Sequence, residues 1–196
     1  MADQFPEDQP ITDPKRLRAL AHPLRWKLIK LVGSEETATA TRCAELTGES
    51  VASCSYHLNM LAKYGFLVEA EGGQGREKPW RLVARGQTFS DEGLDEEGVL
   101  AAEAATEAFL EQEFESIRTA NRRSDREPKE WRHVSILRAS SIIVTAEEAA
   151  ELVAGINELA DRYRDRWDQP QNRPEGARKL RLFLSTMVDP ETGGRQ

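Results

Sequence analysis

Apolar residues recur at helical spacing through the first third of the chain and then switch to alternation. In "DPKRLRALAHP", Asp13 is placed to cap a helix and Pro14 to occupy its first position. Pro23 opens a second segment, "PLRWKLIKLVG", where Leu24, Leu28, Leu31 and Val32 form one stripe and Gly33 offers a stop. "TATRCAELTG" predicts a short third helix ending near Gly48. Ser50 then reads as the N-cap of a fourth helix running to about Tyr64, with Gly65 behind it. Beyond that point "GFLVEAE" and "KPWRLVA" read as short strands around the Gly-rich connector "GGQGRE", the pattern of a hairpin.

The rest of the chain is patterned more coarsely. Residues 90–121 predict a long helix rich in Ala and Glu. Ala101, Ala104, Ala105 and Ala108 precede a stripe of Leu110, Phe114 and Ile117. A charged connector, "NRRSDREPKE", follows. "WRHVSILRASSIIV" and "ARKLRLFLSTMVDP" read as strands, the second alternating Leu180, Leu182 and Leu184 with Arg181, Phe183 and Ser185. Between them lies an amphipathic helix that Thr145 and Glu148 open as a capping box. A strand–helix–strand module at residues 131–190 is therefore expected.

Composition sharpens this frame. The 196 residues are 39% hydrophobic and 31% charged, enough for one or two domains with a core. No apolar run is long enough to cross a membrane, and the acidic, Pro-bearing start lacks the pattern of a secretory signal. Residues 1–12 read as a mobile tail. Cys43 and Cys54, eleven residues apart, suit neither a disulfide framework nor a zinc spacing, which fits a cytoplasmic setting. The net charge of −7 is unevenly spread. Residues 13–86 hold 12 Lys and Arg against 8 Asp and Glu, whereas residues 87–130 hold 5 against 13. The basic excess hints at a polyanion for residues 13–86.

The fourth helix gives that hint a surface. At 100° per residue, Val51, Cys54, Leu58, Leu61 and Ala62 fall on one side and form the core face, although Val51, in the first turn, could also meet a base. Ala52, Ser53, Tyr56, Asn59, Met60 and Lys63 fall opposite, with Ser55 and His57 on the flanks. Asp and Glu are absent from Ser50 to Phe66. Hydroxyls and amides can bond base edges, small residues allow close approach, and Tyr and Lys reach phosphates. An uncommitted solvent face is the plainer reading of this helix alone. Its setting decides otherwise: a short helix, a turn, a longer helix and a Gly-tipped basic hairpin make a winged helix-turn-helix.

"LRALAHPLRWKLIKLV", "AELTGESVASCSYHLNMLAKYGFL" and "EGGQGREKPWRLV" resemble the ArsR-type winged-helix transcriptional regulators. His22, Pro23 and Arg25 match that family's first motif. Ser55, His57, Leu58, Leu61, Gly65, Leu67 and Val68 match its recognition-helix motif, and Gly75, Arg76 and Trp80 match its wing. The resemblance covers roughly residues 13–85 and implies sequence-specific DNA binding as a homodimer. The C-terminal part is more loosely similar to the extension of some actinobacterial-type relatives. The chain departs from metal-sensing relatives, since the place of their paired-cysteine motif here is "TRCAELTGE", with Cys43 alone. Glu49 and Val51 also depart from the family pattern.

The reading is an α+β protein in four parts: tail 1–12, winged helix 13–86, dimerisation helix 87–123 and α/β module 131–190. Base-edge or groove candidates are Ser50, Ala52, Ser53, Ser55, Tyr56, His57 and Asn59. Phosphate or minor-groove candidates are Lys63, Gln74, Arg76 and Lys78, with Arg16 and Arg18 on flanking backbone. The partners are double-stranded DNA and a second copy. No cofactor, metal site or catalytic arrangement is expected: "GGQGRE" is no phosphate loop, and no thiolates or imidazoles converge. A ligand-responsive version places a small apolar effector near Trp131, Tyr163 and Trp167, whose plainer role is core packing. The alternative of another class is a winged-helix protein-interaction module without DNA binding.

Overall fold

The computed structural model describes residues 10–73, 77–84, 86–134 and 136–188. It is mostly helical with one small sheet, an α+β chain. The chain divides into two units, Met1–Arg132 and His133–Gln196.

In the first unit, each helix start is set by a local cap. α1 (Pro14–Leu20) begins at Asp13, whose carboxylate accepts from Lys15 N at 2.9 Å. α2 (Pro23–Glu35) begins at His22, whose Nδ1 accepts from Leu24 N. α3 (Ala40–Thr47) is capped by Thr39 and closes on Gly48 in the left-handed region, φ 76°. α4 (Val51–Lys63) is capped by Ser50 Oγ, which accepts from Ser53 N at 3.1 Å. These side chains satisfy amide groups that a helix start leaves without partners.

Strands β1 (Leu67–Glu69) and β2 (Trp80–Leu82) pair antiparallel, with Leu67 opposite Leu82 and Glu69 opposite Trp80. Ala38 bridges to the far edge of Trp80, exchanging two backbone hydrogen bonds of 3.0 and 2.9 Å. Gly33 does not stop α2, which continues through Glu35. A Cβ on Gly33 would lie 2.9 Å from Leu82 Cδ1, so the glycine admits strand β2 against the helix.

The core joins Leu17 and Leu20 of α1, Leu28 and Val32 of α2, Cys43 of α3, and Cys54, Leu58 and Leu61 of α4, all fully buried. α5 (Glu96–Arg123) closes it. Ala101, Ala102, Ala105 and Ala108 are buried where α5 packs on α1 and α2. The small side chains allow the close approach expected of them, and the partner is α1 and α2 of the same chain. Trp26, Phe89 and Phe109 form an aromatic cluster with centroids 4.9–5.7 Å apart, and Lys30 Nζ donates to Ser116 Oγ between α2 and α5. Farther along α5, Phe114 is exposed and Leu110 and Ile117 are half-buried.

Three expectations differ from this unit. Ile11, assigned to a mobile tail, is buried, and its amide donates to Thr88 O at 2.8 Å in a parallel bridge. Residues 90–95 precede α5 instead of belonging to it, with Gly93 at φ 78° and Asp95 as the cap. Trp131, expected in the C-terminal module, lies in a short helix, α6 (Lys129–Arg132), of the first unit.

The second unit contains α7 (Ala146–Asp161), a short α8 (Asp165–Asp168) and a 3-10 turn at Pro170–Asn172. The capping box forms as its sequence requires: Thr145 N donates to Glu148 Oε2 at 2.7 Å, and Glu148 N donates to Thr145 Oγ1 at 3.2 Å. Neither expected strand forms among the described residues. Positions 136–144 and 177–188 run without a sheet partner. Alternation marks which face of a strand would be buried but does not supply the neighbour that completes its ladder. Tyr163 and Trp167 do not form a core here, and Tyr163 is exposed. Each carries a cation over its ring instead, Arg166 on Tyr163 and Lys179 on Trp167, both at 4.8 Å.

Candidate nucleic-acid interface

The site is built on α4, held from behind by polar as well as apolar contacts. Cys54, Leu58 and Leu61 seat it in the core. His57, expected on the groove side, is buried to 8% exposure. Arg25 Nε donates to His57 Nδ1 at 3.3 Å, and Arg25 Nη1 donates to Ala19 O at 2.7 Å. One guanidinium thus ties α4 to the end of α1. The His22 ring lies 4.4 Å from that of His57. Burial lowers the His57 pKa, and the neighbouring His22 and Arg25 lower it further against a smaller upward pull from Glu49. Neutral His57 is the form that accepts the Arg25 hydrogen bond. His57 therefore positions the helix and is corrected from a base-reading candidate to a support.

Val51 is a second correction. It belongs by angle to the core face, yet it is 48% exposed. It is the first residue of α4, so its side chain lies beyond the end of the packed layer. Exposed in the first turn, it can meet a thymine methyl.

The outer surface of α4 carries Ser50, Ala52, Tyr56, Asn59 and Lys63 exposed, with Ser53 and Ser55 half-buried. Tyr56 is the most prominent, 59% exposed, with its ring edge-on to that of His57 and the centroids 5.1 Å apart. Asn59 Nδ2 donates to Ser55 O at 2.7 Å, so this amide is folded onto its own helix. Lys63 Nζ lies over the Tyr64 ring at 5.5 Å. No acid interrupts this surface between Ser50 and Phe66.

The hairpin β1–β2 stands beside the helix as a wing. Gln74 and Arg76, placed on its tip, lie outside the described residues, as does Gly75. Lys78 is exposed and ion-paired with Glu69 at 2.9 Å, so its charge is already matched within the protein. At the neck, a Cβ on Gly73 would stand 2.3 Å from Glu77 O, and only glycine allows that approach. The two flanking candidates are engaged within the protein: Arg16 Nε donates to Tyr64 O at 3.2 Å with its guanidinium over Phe66, and Arg18 pairs with Glu97 at 2.6 Å.

Arg81 faces outward from β2 between buried Trp80 and half-buried Leu82, and it makes no ion pair among the described residues. The alternation in "KPWRLV" already placed it on the solvent side of the wing. Arg42 is also exposed, but Glu35 and Glu45 neutralise it at 3.0 and 3.3 Å. Cys43 and Cys54 are free and buried. Burial, with lesser effects of Cys54 and Glu35, pushes the Cys43 thiol up to about 11, which keeps it protonated and unreactive near neutral pH.

Two helices joined at a left-handed glycine, with the second presenting an acid-free face, form a helix-turn-helix. Residues 20–70 match the family model for a helix-turn-helix domain. The matched stretch begins at the end of α1 and runs through β1, so it contains α2, α3 and the whole of α4. No curated protein matches the chain. The helix-turn-helix domain suggests a DNA-binding regulator. No described helix is long and apolar enough to cross a membrane.

Proposed function

We propose that the chain is a sequence-specific DNA-binding transcriptional regulator of the ArsR type, cytoplasmic and homodimeric. α4 enters the major groove, and the wing between β1 and β2 lies on backbone or in the minor groove. The observation that carries this reading is the pairing of two faces on α4. Its inner side is fixed by Leu58, Leu61 and the Arg25–His57 bond, while its outer side is acid-free and led by Tyr56. A rigid support behind a polar, exposed surface is what base readout requires.

The base-edge residues of this proposal are Ser50, Val51, Ala52, Ser53, Ser55 and Tyr56, with Asn59 available once it leaves Ser55. Lys63, Arg76, Lys78 and Arg81 take phosphates. A second copy meets this one through the distal half of α5, where Phe114 is exposed between Leu110 and Ile117. Two copies then read half-sites about 34–36 Å apart.

Selection of binding sites from a random DNA pool with the purified full-length protein tests this. An enriched motif with two-fold symmetry, bound by two chains, is the expected result. A pool that stays unenriched, with no retained DNA, would favour a protein-interaction module.

A further inference from the structure

The second unit leaves many of its large apolar side chains exposed. None of its described residues is buried. In α7, Leu152, Ile156 and Leu159 recur at helical spacing as one stripe that Tyr163 continues just past the helix end, with Leu152, Leu159 and Tyr163 exposed. In the extended stretch 177–188, Leu180, Leu182 and Leu184 share one face, all exposed, with Leu182 at 61%. Monomeric proteins rarely expose contiguous apolar patches beyond a few hundred Å². A unit of this size without a core does not hold together by itself.

Charge tells what covers these faces. α7 carries Glu147, Glu148, Glu151, Glu158 and Asp161 and no cation. The stretch 177–188 carries Arg178, Lys179 and Arg181 and no acid. An apolar stripe edged with acids thus matches an apolar row edged with bases. Lys179 is held over Trp167, which fixes where the basic stretch starts, while the leucines that follow stay exposed. Helix and stretch are complementary, and the leucines of both are exposed. A second copy supplies the same two surfaces with their roles exchanged, the condition for an isologous two-fold contact.

We propose that the C-terminal units of two copies close on one another, with residues 179–187 of each lying across the α7 stripe of the other. Charge complementarity and the matching apolar rows place the second copy there, independently of what α4 binds. The inference shares with the proposed function only the presence of two copies.

Disulfide trapping in the full-length protein tests it. Ile156→Cys and Leu182→Cys are introduced together, since Cys43 and Cys54 are buried and remain out of reach. Mild oxidation should yield a covalent dimer on a non-reducing gel. A faster-running monomer with an internal disulfide, or no cross-link at all, would overturn the inference. If sedimentation still reports a dimer without that cross-link, the α5 contact survives and the C-terminal one does not.

A second measurement guards against loss of folding. One chain carries Glu147→Lys, Glu151→Lys and Glu158→Lys; another carries Arg178→Glu, Lys179→Glu and Arg181→Glu. Each opposes its own copy, but a mixture restores opposite charge at both contacts. Cross-linking should fail in each variant alone and return in the mixture. Failure to return would contradict the exchanged arrangement.

Discussion

Arg25 Nε donates to His57 Nδ1 at 3.3 Å, linking the helix that supports the domain to the helix that carries its outer surface. The same guanidinium reaches Ala19 O, so α1, α2 and α4 share one polar joint inside an otherwise apolar core. The orientation of α4 follows from this joint as much as from Leu58 and Leu61.

The joint makes stability pH-dependent on the acid side. His57 is held below its ordinary pKa by burial and by its neighbours His22 and Arg25, whereas the unfolded chain titrates near the usual value of about 6.5. As pH falls through that value, the unfolded state takes up the proton first. Stability is therefore intact above about 6.5 and declines as pH drops toward the lowered value. Urea unfolding across this range should show the decline in the wild type. His57→Gln, a neutral acceptor for Arg25, should flatten it.

Ser50 should be the most sensitive capping position for the interface. Its Oγ takes the Ser53 amide at the start of α4, and the following residues are the proposed groove surface. Ser50→Ala should cost about 1 kcal/mol in unfolding free energy. Hydrogen exchange should quicken first in the opening turn of α4, while the β1–β2 hairpin stays protected.

Gly48 and Gly73 should respond differently to alanine. At Gly48 φ is +76° and nothing lies within 4 Å of an added Cβ, so Gly48→Ala carries only the backbone cost of about 1–2 kcal/mol. At Gly73 the added atom would meet Glu77 O at 2.3 Å and Pro79 Cδ at 2.9 Å. Gly73→Ala should leave the melting of the helices nearly unchanged and alter amide chemical shifts at Glu77 to Trp80.

The elements legible in the sequence are those set by neighbours a few residues away. Asp13, Ser50 and Thr145 cap where their spacing places them, and Gly48 and Gly65 take positive φ at the two helix ends. What escaped depends on distant partners. Gly33 reads as a stop but serves the approach of Leu82, 49 positions later. Ile11 is held by Thr88, and His57 is drawn inward by Arg25, neither of which helical spacing can reveal. The β-rich composition of 131–144 and the alternation at 177–188 are plain, yet no strand of the same chain completes them among the described residues. On the proposed interface, the acid-free run from Ser50 to Phe66 marks the α4 surface in the composition, while the outward position of Arg81 is legible only from the alternation of β2.

The central claim is that α4 reads bases while the wing holds phosphates. It is tested most directly by titrating the selected DNA site with wild type, Tyr56→Ala and Arg81→Ala across a salt series. Tyr56→Ala should lose about 1–3 kcal/mol of discrimination against mismatched sites and keep its salt slope. Arg81→Ala should weaken binding to all sequences alike and reduce the slope by about 1. Wild-type affinity, discrimination and salt slope in both variants would contradict the account.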